Sequence, residues 1–178
     1  MPNMKNSIGV YVPAKDPDSV NVSSLYAEGE LGQAYAHNDR SYQIVKLDSG
    51  VAAGVGPGVC AANQVAFWKD RSAYLITNNN NQAEGGLAGS ANQAAGIIRN
   101  AVTSGYYTHI LQRGRNIAVA DDGSCNPNEI AVADVTTNVA RAVGTAVATA
   151  APYLPLGIVR TASSANVAYV DVDIPNIP

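Results

Sequence analysis

Short apolar runs alternate with clusters of turn-forming residues along most of this chain. From Leu31 onward, β-prone segments such as Ser41–Leu47 end at groups of Asp, Asn, Ser and Gly. Turn signals that recur about every eight to twelve residues are typical of β-sandwiches and β-barrels. The pattern therefore predicts an all-β fold, a compact β-barrel or β-sandwich of short antiparallel strands, with residues 31–178 as a single β-domain.

The turn residues set the bounds of the predicted strands. Asp70-Arg71-Ser72 has the spacing of a hairpin turn, and Arg113–Asn116 is predicted to be a second turn. The polar segment Asn78–Gln82 is predicted to be a loop. The predicted strands are Ala34–Ala36, Ser41–Leu47, Gln64–Lys69, Ala73–Thr77, Ala95–Val102, Tyr106–Gln112, Ile117–Ala120, Glu129–Ala133, Leu156–Thr161 and Val167–Val172.

Residues 1–30 differ from the rest of the chain. Pro2, Pro13 and Pro17 interrupt them, and proline fixes φ and removes a backbone donor, so a helix or a central strand is excluded. Apolar residues such as Val10 and Leu25 are too frequent for a solvated tail. We expect an extended N-terminal arm that becomes ordered against the domain or a neighbouring subunit; a flexible tail is the alternative.

The segment Asp134–Ala150 has two conflicting signals. Its alanines favour a helix. Its many valines and threonines lose rotamer freedom in a helix, and Gly144 weakens a helix further. A strand or extended loop is favoured here, with a short helix as the alternative.

Composition favours a surface covered by partners. Charged residues are 14% of the chain, below the roughly 25% of ordinary domains. The aromatic residues are nine Tyr, one Phe and one Trp, and tyrosine suits half-buried interfaces. The net charge of −3 argues against nucleic acid as the ligand.

Neither a signal peptide nor a membrane-spanning run is visible, so we expect synthesis in the cytoplasm and no membrane partner.

The chain offers little for catalysis, and we expect no enzyme activity, no cofactor and no metal site. A nucleophilic triad or a zinc site needs a histidine placed beside Ser, Cys or carboxylates. The two histidines are instead assigned structural roles, His37 in an apparent turn and His109 within a strand next to Thr108 and Ile110. The glycines of Gly54–Gly58 lack the Gly-Lys-Ser/Thr ending of a phosphate loop. Asp121-Asp122-Gly123 is predicted to be a turn.

The last predicted strand carries Asp171 and Asp173 on one face. Cys60 and Cys125 are predicted to be buried free thiols.

One stretch resembles a known family. The run 95–116, AGIIRNAVTSGYYTHILQRGRN, resembles a pattern of tailed-bacteriophage capsid decoration (cement) proteins, in which an apolar strand leads into a Gly-aromatic-aromatic turn and a short strand ending in Gln-x-Gly. The segments that look like the family's opening strands and closing hairpin are Leu31–Gln33, Tyr42–Val45, Leu156–Ala162 and Val167–Val172. The resemblance covers residues 31–173 loosely.

This resemblance implies a structural virion protein on the capsid exterior. Members bind the outside of an assembled capsid, usually as trimers, so the implied partners are the major capsid protein and further copies of this chain. By residue type, we expect partner contacts from Tyr11 and Tyr26 in the arm and from Arg113 and Arg115, because the planar guanidinium pairs bidentately with carboxylates.

A different virion surface role is the alternative: a head-fibre base, a tail protein or a carbohydrate-binding module. A carbohydrate-binding module needs an exposed aromatic platform. The candidates for such a platform are Trp68 and the pair Tyr106 and Tyr107.

Overall fold

The computed structural model describes residues 31–48, 59–84, 94–134, 141–145 and 154–174. Of these residues, 62% are in β-strands and none is in an α-helix. The predicted all-β class is confirmed, and the architecture contains a closed barrel. The predicted N-terminal arm lies outside the described residues, as do Tyr11 and Tyr26.

Twelve strands make up the described fold, with a single turn of 3₁₀-helix at Asn80–Gln82. In chain order they are β1 Ala34–His37, β2 Arg40–Leu47, β3 Val59–Cys60, β4 Val65–Asp70, β5 Leu75–Thr77, β6 Ala94–Ile98, β7 Val102–Thr103, β8 Tyr107–Ala120, β9 Ile130–Ala133, β10 Ala142–Thr145, β11 Pro155–Ser164 and β12 Val167–Asp173.

Five strands close into a barrel in the order β2-β5-β4-β6-β8. The barrel closes because β8 pairs with β2 as well as with β6, with Tyr42 opposite Leu111 and Lys46 opposite Tyr107. The neighbours are antiparallel except for β2 and β5, which run parallel where Lys46 faces Leu75. β1 pairs with β2 through a tight turn at Asn38 and Asp39, both at positive φ.

Strand β8 has 14 residues and extends beyond the barrel, so its two halves have different neighbours within one ten-stranded sheet. Tyr107–Arg113 pairs with β2, and Arg113–Ala120 pairs with β12. From β12 the sheet continues in the order β11, β9, β10. One parallel bridge, from Asp121 to Ala142, joins the end of β8 to β10.

The predicted turn at Arg113–Asn116 is wrong, because this segment is part of β8. Instead, the pairing of β8 shifts register at two points. The first lies between Leu111 and Arg113, which pair with Tyr42 and Ser41 of β2. The second lies between Gly114 and Ile117, which pair with Val172 and Val170 of β12. Asn116 has φ of 53°, a value that asparagine tolerates better than most residues. β2 pairs with the strand up to Arg113 and β12 pairs with it from Arg113 onward, and these pairings hold in strand form a sequence that would form a turn alone, so the result is a pair of β-bulges.

The predicted strand Ala95–Val102 is also wrong beyond Ile98. Arg99 follows the end of β6 and donates to Asn63 Oδ1 at 3.1 Å and to the Ala118 carbonyl oxygen at 3.3 Å. Val102 then pairs with Cys60 in a separate two-stranded sheet of β3 and β7. The other predicted strands are present within a few residues, and the hairpin around Asp70–Ser72 is formed by β4 and β5.

Two apolar clusters lie on opposite faces of the barrel strands. Neighbouring residues of one strand alternate between them, as Ile44 and Val45 do in β2 and Phe67 and Trp68 do in β4. The cluster with Ile44 and Phe67 continues beyond the barrel to β12 through residues such as Val170. Both faces of these strands are buried. Their sequences are therefore apolar at successive positions, whereas a strand with one exposed face alternates apolar and polar residues.

The loop after β5 is polar yet buried. Asn78 and Asn80 have no exposed surface, and each side-chain amide donates a hydrogen bond: Asn78 to Gln64 Oε1 at 3.2 Å and Asn80 to the Asp134 carbonyl oxygen at 3.0 Å. Buried amides need such partners. Asp134 directly follows β9, and Ala142–Thr145 is a strand, as favoured. Residues 135–140 and 146–150 lie outside the described residues.

Cys60 and Cys125 are buried free thiols, as predicted. Burial raises the pKa of each thiol to about 12; for Cys125, Asp121 adds to the effect. Since only the thiolate is a nucleophile, we expect neither thiol to react with a disulfide reagent at pH 8 until denaturant is added. Counting the thiols that react before and after unfolding tests this. One rapid equivalent in the native protein would contradict it.

Candidate functional site

The outward side chains of β8, β12 and β11 form a surface that we call the charged face. It contains Arg113, Arg115, Ile158, Arg160, Tyr169, Asp171 and Asp173. Alternation along β12 produces it, because Ala168, Val170 and Val172 point into the core and the residues between them point outward. Asp171 and Asp173 therefore lie on one face of the last strand, as the sequence predicts.

Each carboxylate of the charged face already has an arginine partner. Arg113 donates from Nε and Nη2 to the two oxygens of Asp173, at 3.0 and 3.3 Å. This partner raises the pKa of the Arg113 guanidinium. Arg160 donates from Nε to Asp171 Oδ2 at 2.9 Å. Both pairs cross between neighbouring strands, where opposite charges stabilise the pairing.

The bulge in β8 supplies a further donor to Asp171. The backbone N–H of Asn116 donates to Asp171 Oδ1 at 2.9 Å. This hydrogen bond, followed by Arg160 and the nearby charge of Arg115, holds the pKa of Asp171 below its ordinary value. The segment Arg113–Asn116, for which the sequence predicts a turn, therefore places a backbone N–H against the Asp171 carboxylate.

Asp171 is expected to titrate below about pH 3.9, the ordinary value for aspartate. Because its pKa is lowered in the folded state, its ionised form stabilises the β8–β12 pairing at neutral pH. That contribution is lost as the pH falls through the folded pKa. Carbon-detected NMR titration of the carboxyl group measures the midpoint, and an Arg160→Gln variant is expected to move it upward. A midpoint at or above the ordinary value would contradict the hydrogen-bonding scheme.

Arg115 differs from the other arginines of the charged face. It is exposed, and within the described residues it has no hydrogen-bonded carboxylate, although its charge acts on Asp171. It lines two adjoining depressions, one with Asn38, Asp39 and Arg40, and one with Asp39, Arg113, Ile158, Asp171 and Asp173. The tight β1–β2 turn and the β8 bulge therefore meet at Arg115.

Two exposed apolar side chains border these charges. Ile158 is 37% exposed and Tyr169 is 43% exposed. Ile158 faces Asp171 across the β11–β12 pairing, and Tyr169 faces Thr161. Exposed aromatic and aliphatic side chains next to arginines are typical of protein–protein interfaces. Sequence reasoning found Arg113 and Arg115 but missed Ile158, Arg160 and Tyr169, because their place depends on strand register.

Neither histidine belongs to the charged face. His37 ends β1, with its Nε2 atom 3.0 Å from the Asn38 side-chain nitrogen. His109 is fully buried in β8, and its ring makes edge contacts with Tyr35 and Tyr42 at centroid distances of 6.4 and 5.5 Å. Over the described ranges, no group of three or more His, Cys, Asp and Glu is placed to hold a metal ion.

The candidate aromatic platform is divided by the fold. Trp68 is 4% exposed and lies in the core, so it forms no exposed platform. Tyr106 is 49% exposed in the turn before β8. The neighbouring Tyr107 is partly exposed, and the Lys46 ammonium lies 5.5 Å from its ring centroid. Only the tyrosine pair stays available on the surface.

No protein-family model matches this sequence, and no curated protein matches it either. Across the parts of the chain that the structure describes, no helix has the length and apolar character needed to cross a membrane.

Proposed function

We propose that this protein is a structural, non-catalytic virion component that binds the outer surface of an assembled phage capsid and stabilises it. The observation that supports this most is the charged face, which carries arginines and the exposed Ile158 and Tyr169 on one surface. Arginine and tyrosine are enriched at the residues that dominate interface energies. The face lies on hydrogen-bonded strands, so little conformational freedom is lost when a partner covers it.

Stabilisation of a shell follows from selective binding. A ligand that binds the assembled lattice and not the free subunits shifts the equilibrium toward the lattice. Several copies joined in one oligomer, which we propose to be a trimer, add avidity to contacts that are individually weak. The major capsid protein and further copies of this chain are the proposed partners, and the capsid exterior is the proposed location.

Co-sedimentation with capsids tests the proposal. Purified, expanded shells of the phage that carries this gene are mixed with the protein and sedimented, and unexpanded precursor shells serve as the control. We expect saturable attachment to expanded shells, a higher melting temperature of the decorated shells, and a trimeric mass by light scattering. Protein that stays in the supernatant, and is absent from purified particles, would contradict the proposed function.

Removal of residues 1–25 tests the proposed arm, including Tyr11. The truncated protein is expected to attach to shells more weakly, because the proposed arm covers additional capsid surface. Its circular dichroism spectrum is compared with that of the full chain to show that the β-domain still folds. Unchanged attachment would show that the arm makes no contribution.

A carbohydrate-binding role in another virion surface component is the second candidate, favoured by the exposed Tyr106. Tyrosine rings bind the apolar faces of sugars. Glycan-array binding that is lost in Tyr106→Ala, without attachment to shells, would favour this role over decoration.

A further inference from the structure

We propose that residues 8–12 of one copy of this chain bind as an added strand to the open edge of β1 in a neighbouring copy. The inference rests on the proposed function for the existence of the oligomer, and it names the contact that joins the copies. The binding site consists of backbone groups of Ala34 and Ala36 in β1.

Strand β1 is the last strand at one end of the ten-stranded sheet, and its outer edge is open. The Ile44 N–H donates to the Gln33 carbonyl oxygen at 3.0 Å, so Tyr35, two residues further on, also turns its backbone groups toward β2. The N–H and C=O groups of Ala34 and Ala36 therefore point away from β2. Both alanines are exposed, and no described strand lies beyond them.

The opposite end of the sheet has partners on its outer side. Ala142 in β10 forms a bridge with Asp121, and the Gly144 N–H donates to Ser124 Oγ at 3.1 Å. By contrast, no described residue pairs with β1 on its outer side. A strand added to this sheet therefore joins at β1.

Strand β1 also lacks features that keep edge strands from pairing with other chains. Natural edge strands are often protected by charged side chains, prolines or bulges. The sequence of β1, AYAH, contains no Lys, Arg, Asp, Glu or Pro, and its pairing with β2 has no register shift. The exposed side chains of Ala34 and Ala36 are small, so a second backbone can approach the edge closely.

The chain itself contains a segment that suits this edge. Residues 1–30 precede β1, and residues 8–12, IGVYV, form an uncharged run in which aliphatic side chains occupy alternate positions, the period of a strand. With Val10 opposite Tyr35, the aliphatic side chains extend the apolar cluster that contains Tyr35. Tyr11 then lies on the face of the two small alanines. Backbone hydrogen bonds give affinity in this mode of binding, and alternate side chains give specificity.

The linker between this run and β1 favours exchange between copies. Residues 13–31 span up to roughly 60 Å when extended, enough to reach an adjacent domain. Pro13 and Pro17 favour an extended start of the linker, because proline fixes φ and restricts the residue before it. An extended start directs the run away from its own β1. Three arms exchanged head to tail close a ring, in agreement with the proposed trimer.

Hydrogen exchange of single amides tests the inference on the isolated protein, without shells. The Ala34 and Ala36 amide protons are expected to exchange at least about tenfold more slowly in the full chain than in a variant that lacks residues 1–12. The Tyr35 amide faces β2 and serves as the control, with equal protection in both proteins. Equally fast exchange of Ala36 in both proteins would overturn the inference.

Ala36→Pro blocks the edge while leaving the pairing with β2 in place. Proline removes an N–H that points outward, and edge strands tolerate proline. By light scattering, the variant is expected to lose the trimeric mass, as is the chain lacking residues 1–12, whereas the control Ala36→Ser keeps it. Circular dichroism shows whether each variant folds, and the truncated chain decides the matter if Ala36→Pro does not. A truncated chain that stays trimeric, or protected Ala34 and Ala36 amides in a monomeric full chain, would overturn the inference. Neither measurement uses shells, so its result is separate from that of the proposed function.

Discussion

A Gly157→Ala variant is expected to unfold at a much lower denaturant concentration than the natural protein. Gly157 is the third residue of β11 and pairs with Val172 on one side and Ala131 on the other. Its φ is +156°, and a Cβ atom there would lie 1.9 Å from the Asp171 carbonyl oxygen. This oxygen belongs to the backbone of a paired strand, so it moves only if the β11–β12 pairing shifts. We expect a loss of about 3 kcal/mol in the free energy of unfolding, from strain and overpacking together.

Gly105→Ala is the matched control for Gly157→Ala. Gly105 also has a positive φ, +84°, but no atom lies within 4 Å of its added Cβ. It therefore measures backbone strain without a clash, and a cost of about 1 kcal/mol is expected. Urea unfolding followed by circular dichroism measures both variants. Equal losses in the two variants would show that the close approach of β11 and β12 is not as described.

Tyr42→Ala is expected to have an effect of similar or larger size. The Tyr42 ring is fully buried and stacks on Tyr35 at a centroid distance of 5.3 Å, with the rings 13° from parallel. It also contacts the edge of His109. The ring joins β1, β2 and β8, so its removal leaves a cavity where the barrel meets its edge strand. Deletion of a buried aromatic ring costs about 3–5 kcal/mol.

Tyr106→Ala makes the same chemical change at an exposed position. Because Tyr106 is 49% exposed, we expect a change within about 0.5 kcal/mol. The comparison of the two variants by thermal unfolding separates core packing from a general effect of losing tyrosine. A Tyr42→Ala protein as stable as Tyr106→Ala would contradict the described core.

Local sequence predicts the elements of this fold better than their arrangement. Strand β2 and the β4–β5 hairpin follow from apolar runs bounded by turn residues. The continuity of β8 does not follow, since Arg113-Gly114-Arg115-Asn116 has the composition of a turn. Pairing with β2 and β12 overrides that local preference, and these partners are distant in sequence. β6 ends at Ile98, where the polar pair Arg99-Asn100 interrupts the apolar run, and Val102 pairs with Cys60 of β3 instead.

The residues of the candidate site were likewise predictable from the sequence only in part. Arginines in an apparent turn were predicted to be partner contacts, and the structure exposes both on one surface. Ile158 and Tyr169 could not be identified, because an exposed apolar residue within an apolar strand looks the same in sequence as a buried one. The register between β11 and β12 decides which side chains face outward, and a period of two residues makes that choice sensitive to a single bulge.

The shared strand β8 has a mechanical consequence. Its two halves are one uninterrupted backbone, with the barrel along the first half and the β12 sheet along the second. Tension applied near Arg115 would therefore pass directly into the barrel without an intervening hinge. It would act along the strand, so that several interstrand hydrogen bonds bear the load at once instead of opening one after another. A load on the charged face would thus be shared between the pairings of β8 with β12 and with β2.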